Sequence, residues 1–434
     1  MTFGVRSRPA PGGIGGLRYQ PPARSPLELH HVARAILDLA STLGDTRDDL
    51  RRRIAERFSA DHVVLCSSGT HALELAIRTA RRLVGLNAPV ALPAFTCYDV
   101  ATAAVAAKGR LLLYDIDPHT LSPDVSSCLA ALRRGARVLV VTPLYGYPPD
   151  WEGITELAAA HGALVVEDAA QGHGASWRGH PLGTLGSLSV LSFGRGKGWT
   201  GIRGGALLAR GAPLSRILAG HRLRAPVPND AVKVLVGALA QSIFSGPGLY
   251  WLPASIPALE LGRTVYHVPT PGRRMTRLAA ALALATEADA DRASEARRRE
   301  GRALLDDLPV RKAVRPVRPL DRDGAGFLRA PVLLAHGMEG FGSQSEARRL
   351  GVEASYPSAL ADLVPLRPQL DSPVTRCPGA EYLADHLATL PTHGCLSGPE
   401  REHLLRLVDG YGGAARRPSA AKETGLPRRP ATTP

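Results

Sequence analysis

The chain reads as an α/β protein with a mostly parallel central sheet flanked by helices. Short apolar runs alternate with amphipathic stretches from about residue 63 to 191, the rhythm of βα units. Polar clusters follow the apolar runs, where ligands bind in open α/β sheets. With 434 residues and 44% hydrophobic content, there is enough chain for a large core and more than one domain.

The elements come in order. Helical patterns are expected around 27–42 and 46–58, the second opened by the capping residues Asp45-Thr46. Val63-Val64-Leu65 reads as a strand before a helix over about 70–84. Val90-Ala91-Leu92 precedes a helix over about 99–107, and Leu111 to Tyr114 precedes one near 124–134. Val138 to Val141, a helix over 151–161, Leu164 to Val166 and Leu188 to Leu191 continue the pattern. These near-continuous apolar strands suit a sheet covered on both faces. A highly charged helix (Asp289 to Leu308), a strand at Val332-Leu333-Leu334 and a helix capped by Ser397-Gly398-Pro399-Glu400 predict a smaller α+β domain at the end. The expected division is an arm over 1–26, a large domain over 27–270, a small domain over 271–411 and a basic tail over 412–434. The arm and tail, rich in Pro, Gly, Arg and Ser without apolar periodicity, are expected to be disordered.

Composition narrows the function classes. The five cysteines are odd in number and lack a CxxC pair, which predicts neither a disulfide framework nor a metal site and fits a reducing, cytoplasmic setting. The opening residues contain no apolar core, so no secretory signal is expected. The net charge is +14, but no nucleic-acid-binding motif accompanies it; a basic cleft for an anionic substrate fits that charge. Residues 231–258 are strongly apolar but broken by Lys233, Gly246, Pro247 and Pro253. They read as a buried helical hairpin at an interface, or as a segment resting on the inner face of the membrane.

Chemistry concentrates at strand ends. Asp168 closes one apolar run; Lys197, in Ser192-Phe193-Gly194-Arg195-Gly196-Lys197, follows another. An acid and a lysine so placed are what pyridoxal 5'-phosphate (PLP) requires: an amine to form a Schiff base with its aldehyde, and a carboxylate to hold its pyridine nitrogen protonated. Lys197 is the only lysine between Lys108 and Lys233, and arginine could not replace it in that bond. Ser68-Gly69-Thr70 opens a helix directly after a strand, with free N–H groups and hydroxyls suited to a phosphate; an ordinary N-cap is the competing reading. Ser192 is a further phosphate donor, and Gln171 a support for the ring's hydroxyl side. His173 reads as a packed histidine.

These segments resemble the DegT-like (StrS-type) PLP-dependent sugar aminotransferase family. The resemblance is carried by SSGTHALELA (67–76), ALPAFTCYDVATAA (91–104), YDIDPHTLSPD (114–124), VTPLYGYPPDWEGI (141–154), VVEDAAQGHGASWRGHPLGTLG (165–186), SFGRGKGWTGIRGGAL (192–207), RRMTRLAAALALA (273–285) and LADHLATLPTHGCLSGPE (383–400). It implies the fold-type I architecture and a homodimer with active sites at the subunit interface. PLP would be linked to Lys197, paired with Asp168, supported by Gln171 and held through its phosphate by Gly69, Thr70 and Ser192. It also implies amino transfer from an amino acid, glutamate by family habit, to a nucleotide-linked keto sugar, in surface polysaccharide or glycosylated-metabolite synthesis.

The chain departs from the family pattern at several points. Where an aromatic residue commonly stacks on the cofactor, Cys97 stands here and Tyr98 follows; Tyr98, Phe95 or the thiol itself takes that role. Gly272 stands where many members carry an asparagine that reaches the partner's phosphate. Some members replace the lysine by histidine and become dehydratases, and Lys197 speaks against that branch. A PLP lyase or non-sugar aminotransferase, and a catalytically reduced regulator or membrane-associated scaffold, are the rival readings.

Overall fold

The computed structural model describes residues 18–41, 44–256, 264–308 and 311–412. Helices α1 (Leu29–Ser41) and α2 (Thr46–Arg57) lead into β1 (His62–Cys66) and α3 (Gly69–Val84). Then come β2 (Val90–Pro93), α4 (Tyr98–Ala107), β3 (Leu111–Tyr114), α5 (Val125–Arg133), β4 (Val138–Val141), α6 (Trp151–Ala160) and β5 (Leu164–Asp168). A short hairpin, β6 (Ser176–Trp177) and β7 (His180–Pro181), precedes β8 (Leu188–Ser192) and β9 (Gly205–Ala209). The helices start where the sequence supplies caps: Asp45, Ser68, Asp124 and Asp150 each accept a backbone N–H of the first turn.

Seven strands form one sheet in the order β1-β9-β8-β5-β4-β2-β3. β3, β2, β4, β5 and β8 run parallel, while β9 pairs antiparallel with both β8 and β1. The parallel strands are buried along nearly their whole length, as a sheet covered on both faces requires. β9 follows the lysine loop within a glycine-rich run that gives no strand signal of its own.

After β9 come α7 (Ala212–Ala219), α8 (Pro228–Phe244), the single turn α9 (Trp251–Ala254) and the long α10 (Arg277–Asp307). α10 starts a dozen residues before the charged stretch that signals it. Its first turns are Ala- and Leu-rich and buried from Leu278 to Ala283, so they show no amphipathic contrast. Its far end carries Leu304 and Leu308 into a second core. That core covers a small antiparallel sheet of β10 (Val314–Pro316), β11 (Ala330–Leu334), β12 (Glu353–Ala354) and β13 (Leu387–Leu390), ordered β10-β11-β13-β12. Helices α11 (Gln344–Arg349), α12 (Pro378–His386) and α13 (Gly398–Asp409) accompany it. Ser397 and Glu400 form the expected capping box on α13.

One expectation changes. Residues 18–26, assigned to a disordered arm, form a strap across the molecule. Tyr19 N donates to Pro247 O and Gln20 N to Arg349 O, both at 2.8 Å, and Gln20, Ser25 and Leu27 are buried. Backbone pairing and side-chain burial hold this segment although it lacks periodicity. Residues 1–17 of that arm and 413–434 of the tail lie outside the described residues. Residues 231–256 hold α8 and the single turn α9, and α8 leaves an apolar face open on the single chain. On α8 only Val234 and Ala238 are buried, whereas Val232, Val236, Leu239 and Ile243 are exposed; residues 257–258 lie outside the described residues. Among the described residues, no helix is long and apolar enough to cross a membrane.

Candidate active site

The expected residues converge at the carboxyl ends of β1, β5 and β8. Strand alternation explains how β5 ends in two acids with different surroundings. Glu167 is fully buried and accepts from the backbone N–H groups of Gly183, Leu185 and Gly186 and from Ser189 Oγ at 2.6–3.1 Å. It fastens the loop that enters β8. Asp168 points the other way; one oxygen accepts from Ala170 N at 3.2 Å, and the side chain makes no other hydrogen bond among the described residues. Burial pushes its carboxyl up to about 6, with the Lys197 charge and the Ala170 N–H working against the rise.

Lys197 sits between Gly196 and Gly198, whose φ values of +73° and +88° favour glycine. Its amine makes no hydrogen bond or ion pair among the described residues. It acts electrostatically on both Asp168 and Cys97.

The start of α3 closes the third side. A Cβ on Gly69 would stand 2.9 Å from both Cβ and Oγ of Ser192, so the glycine leaves a cradle between helix and strand. Ser192 Oγ in turn lies 3.5 Å from the Cβ position of Gly194, which is 3.8 Å from Lys197 Cγ. Hydroxyl, helix N-terminus and lysine thus share one small volume. Ser68 caps the helix, its Oγ accepting from His71 N at 3.1 Å. Thr70 follows in the first turn, partly exposed.

Gln171 is held at both ends of its amide. Oε1 accepts from Tyr145 N and Nε2 donates to Tyr356 Oη, both at 2.8 Å. Tyr145 has a left-handed φ of +56°, a strained backbone of the kind that accumulates at functional sites. Its hydroxyl bonds Ser355 Oγ, and its ring stacks on Tyr356 with centroids 6.3 Å apart. Tyr145 lies in the quoted segment 141–154, but nothing in its spacing announced a role. Tyr356, far along the chain, gave no signal.

Tyr98 is buried at the start of α4. Its hydroxyl bonds Ser358 Oγ at 2.7 Å and turns toward the 355–360 segment. Phe95 is fully buried against Tyr356, centroids 5.2 Å apart. Cys97 lies in the electrostatic neighbourhood of Lys197 and Asp168. Desolvation pushes its thiol up to about 11, so it is neutral at ordinary pH. Gly272 lies beside this chain's own α3: its Cβ position is 3.8 Å from His71 Cβ. Ser67 N donates to Arg273 O at 2.9 Å, which brings the 272–274 turn to the phosphate end of the cleft.

The arrangement fits PLP. It offers a free amine, a buried carboxylate with an unused oxygen, and a glycine cradle at a helix N-terminus beside a serine hydroxyl.

Comparisons with known proteins agree with this geometry. The profile of the DegT/DnrJ/EryC1/StrS aminotransferase family matches residues 27–226. The L-glutamine:2-deoxy-scyllo-inosose aminotransferase of Streptomyces kanamyceticus is 35% identical over 173 residues, 39% of this chain and 40% of that protein. The dTDP-3-amino-3,4,6-trideoxy-alpha-D-glucose transaminase of Streptomyces venezuelae is 33% identical over 184 residues, 42% of this chain and 48% of that protein. The chain thus spans about half or less of the length of these relatives. A GDP-4-keto-6-deoxy-D-mannose-3-dehydratase from E. coli, solved with bound hydrated PLP, superposes with a TM-score of 0.72 at 16% identity, covering 91% of this chain and 100% of that one. A sugar aminotransferase from Micromonospora echinospora superposes with a TM-score of 0.69 at 20% identity, covering 90% and 99%. The fold is that of these PLP enzymes.

Proposed function

We propose, from the match of residues 27–226 to the DegT/DnrJ/EryC1/StrS aminotransferase family, that the chain is a PLP-dependent aminotransferase. It moves an amino group from an amino acid to a keto sugar carried on a nucleotide. The observation that carries this reading is the free Lys197 amine in the electrostatic reach of buried Asp168, beside the Gly69–Ser192 cradle.

When bound, PLP supplies an aldehyde conjugated to an electron-accepting ring. Lys197 Nζ would hold the cofactor covalently and, as a free amine, would serve as the acid/base at the substrate carbon. Asp168 would accept a charge-assisted hydrogen bond from the pyridinium N–H, which would stabilise the ionised carboxylate that burial alone disfavours. Gln171, fixed by Tyr145 and Tyr356, meets the ring's hydroxyl side. The first N–H groups of α3, with Thr70 and Ser192, bind the phosphate. Cys97, in the electrostatic neighbourhood of Lys197 and Asp168, would present a neutral thiol to the cofactor.

The active unit is a homodimer. α1 and α8 pack together and expose Leu29, Ile36 and Leu37 beside Val232 and Val236, a surface suited to a second copy.

Turnover with glutamate or glutamine and a nucleotide-linked keto sugar tests the reaction. Amino transfer yields one 2-oxo acid for each amino sugar formed. Sugar conversion without a matching 2-oxo acid would assign the site to lyase or dehydratase chemistry instead.

A further inference from the structure

The loop that carries Lys197 has few ties of its own. Lys197 N turns back to Gly194 O at 3.3 Å, and Gly194 N donates to Ser192 Oγ at 3.4 Å. Neither bond reaches beyond the loop and the strand that leads into it. The residues after the lysine are fastened to α10: Trp199 Nε1 donates to Ala283 O and Thr286 Oγ1 to Thr200 O, both at 2.7 Å. Among the described residues, the hydrogen bond that joins 194–198 to a distant part of the chain is Gly198 N to Ser25 Oγ, at 3.2 Å.

Ser25 is built to hold that place. It is 1% exposed. The Gly198 N–H is buried too and has no other partner among the described residues, so losing this hydroxyl would leave a buried donor unpaired. The strap bearing Ser25 is stiff, because Pro21, Pro22 and Pro26 fix φ. It is also held along its length. His393 Nε2 donates to Pro21 O at 2.7 Å, Gln20 Nε2 to Glu400 Oε1 at 2.8 Å, and Gln241 Nε2 on α8 to Ser25 O at 3.4 Å. Ala23 meets the other flank of the lysine: a Cβ on Gly196 would stand 3.9 Å from Ala23 Cβ. The strap thus touches both neighbours of Lys197.

We propose that Ser25 is a positioning residue for Lys197. It acts through Gly198, fixing the peptide that follows the lysine. Two flanking glycines would otherwise leave that segment free to rotate, and an amine confined to fewer directions reacts faster with a bound partner. The inference rests on the reading of Lys197 as the cofactor-bearing residue. Ser25 itself precedes the residues matched to the family and reaches the site only through the fold.

The test compares the full-length wild type with Ser25→Ala and with Gln20→Ala, which cuts the strap's tie to Glu400 at its far end. Hydrogen exchange of the cofactor-free protein reads the contact itself: Ser25→Ala should speed exchange across residues 195–201 about tenfold. When PLP is added back, the visible band of lysine-bound cofactor should return about tenfold more slowly in Ser25→Ala. Its kcat should fall about tenfold with KM within about twofold of wild type. Gln20→Ala should lower the melting temperature yet keep wild-type band recovery and kcat. Unchanged exchange or band recovery in Ser25→Ala, or an equal slowing in Gln20→Ala, overturns the proposal. A wild type that forms no visible band overturns the reading of Lys197 and the proposal with it, an outcome the wild-type trace alone reveals.

Discussion

Glu167 and Asp168 are chemically alike and adjacent, yet strand alternation gives them different work. The first is saturated by three backbone N–H groups and a hydroxyl; the second keeps an oxygen unused. Because burial raises the folded Asp168 pKa from 3.8 to about 6, ionising it in the cofactor-free protein is unfavourable. Stability from this group is full below the unfolded pKa and is lost as pH rises through the folded one. Cofactor-free wild type should therefore lose about 2 kcal/mol relative to Asp168→Asn between pH 4 and 7, read by denaturant titration. Parallel curves would remove the burial argument. With cofactor, Asp168→Asn should keep some binding yet lose about 10²-fold or more in kcat.

Gly69 makes a steric prediction at the same scale. Gly69→Ala places a methyl 2.9 Å from Ser192 and should weaken cofactor retention at least about tenfold. Adding Ser192→Gly should restore part of it, as equilibrium dialysis would show. Retention unchanged by the single substitution would mean that the cradle is not where the phosphate binds. Cys97, Asp168 and Lys197 were each visible in the sequence. Tyr145 and Tyr356 were not, because they act by holding Gln171 and carry no local pattern.

Among the elements, those with alternating or periodic apolar residues were legible, and those without were not. The strands of the parallel sheet and helices α2 to α6 stand where alternating apolar runs and amphipathic stretches predict them. β9 was missed because Gly205-Ala206-Leu207-Leu208-Ala209 follows a glycine-rich loop. The start of α10 was missed because its buried turns show no polar face. The strap over 18–26 was misread because its order comes from pairing with Pro247 and Arg349, distant in sequence. α8 exposes Val232 and Val236 next to the apolar side chains of α1. Val236→Glu should shift the purified protein from dimer toward monomer in sedimentation velocity, with its secondary structure unchanged. A variant that stays fully dimeric would place the subunit contact elsewhere. If the wild type is monomeric and binds anionic vesicles through this face, the membrane-surface reading takes its place.

At the scale of the molecule, the sheet order β1-β9-β8-β5-β4-β2-β3 brings three polar clusters, far apart in sequence, to one edge. Their position after apolar strands made that convergence foreseeable. What could not be foreseen is what lies around them, since Tyr356 and Ser25 reach the site from distant parts of the chain. The account rests on Lys197 carrying the cofactor and passing an amino group through it. The most direct measurement is an absorbance scan of the purified full chain before and after an amino-acid donor, beside Lys197→Ala. The wild type should show the visible band of lysine-bound cofactor and lose it when glutamate or glutamine is added, while the folded variant never shows it. A wild-type spectrum that no amino donor changes, or a band that survives in Lys197→Ala, would contradict the account.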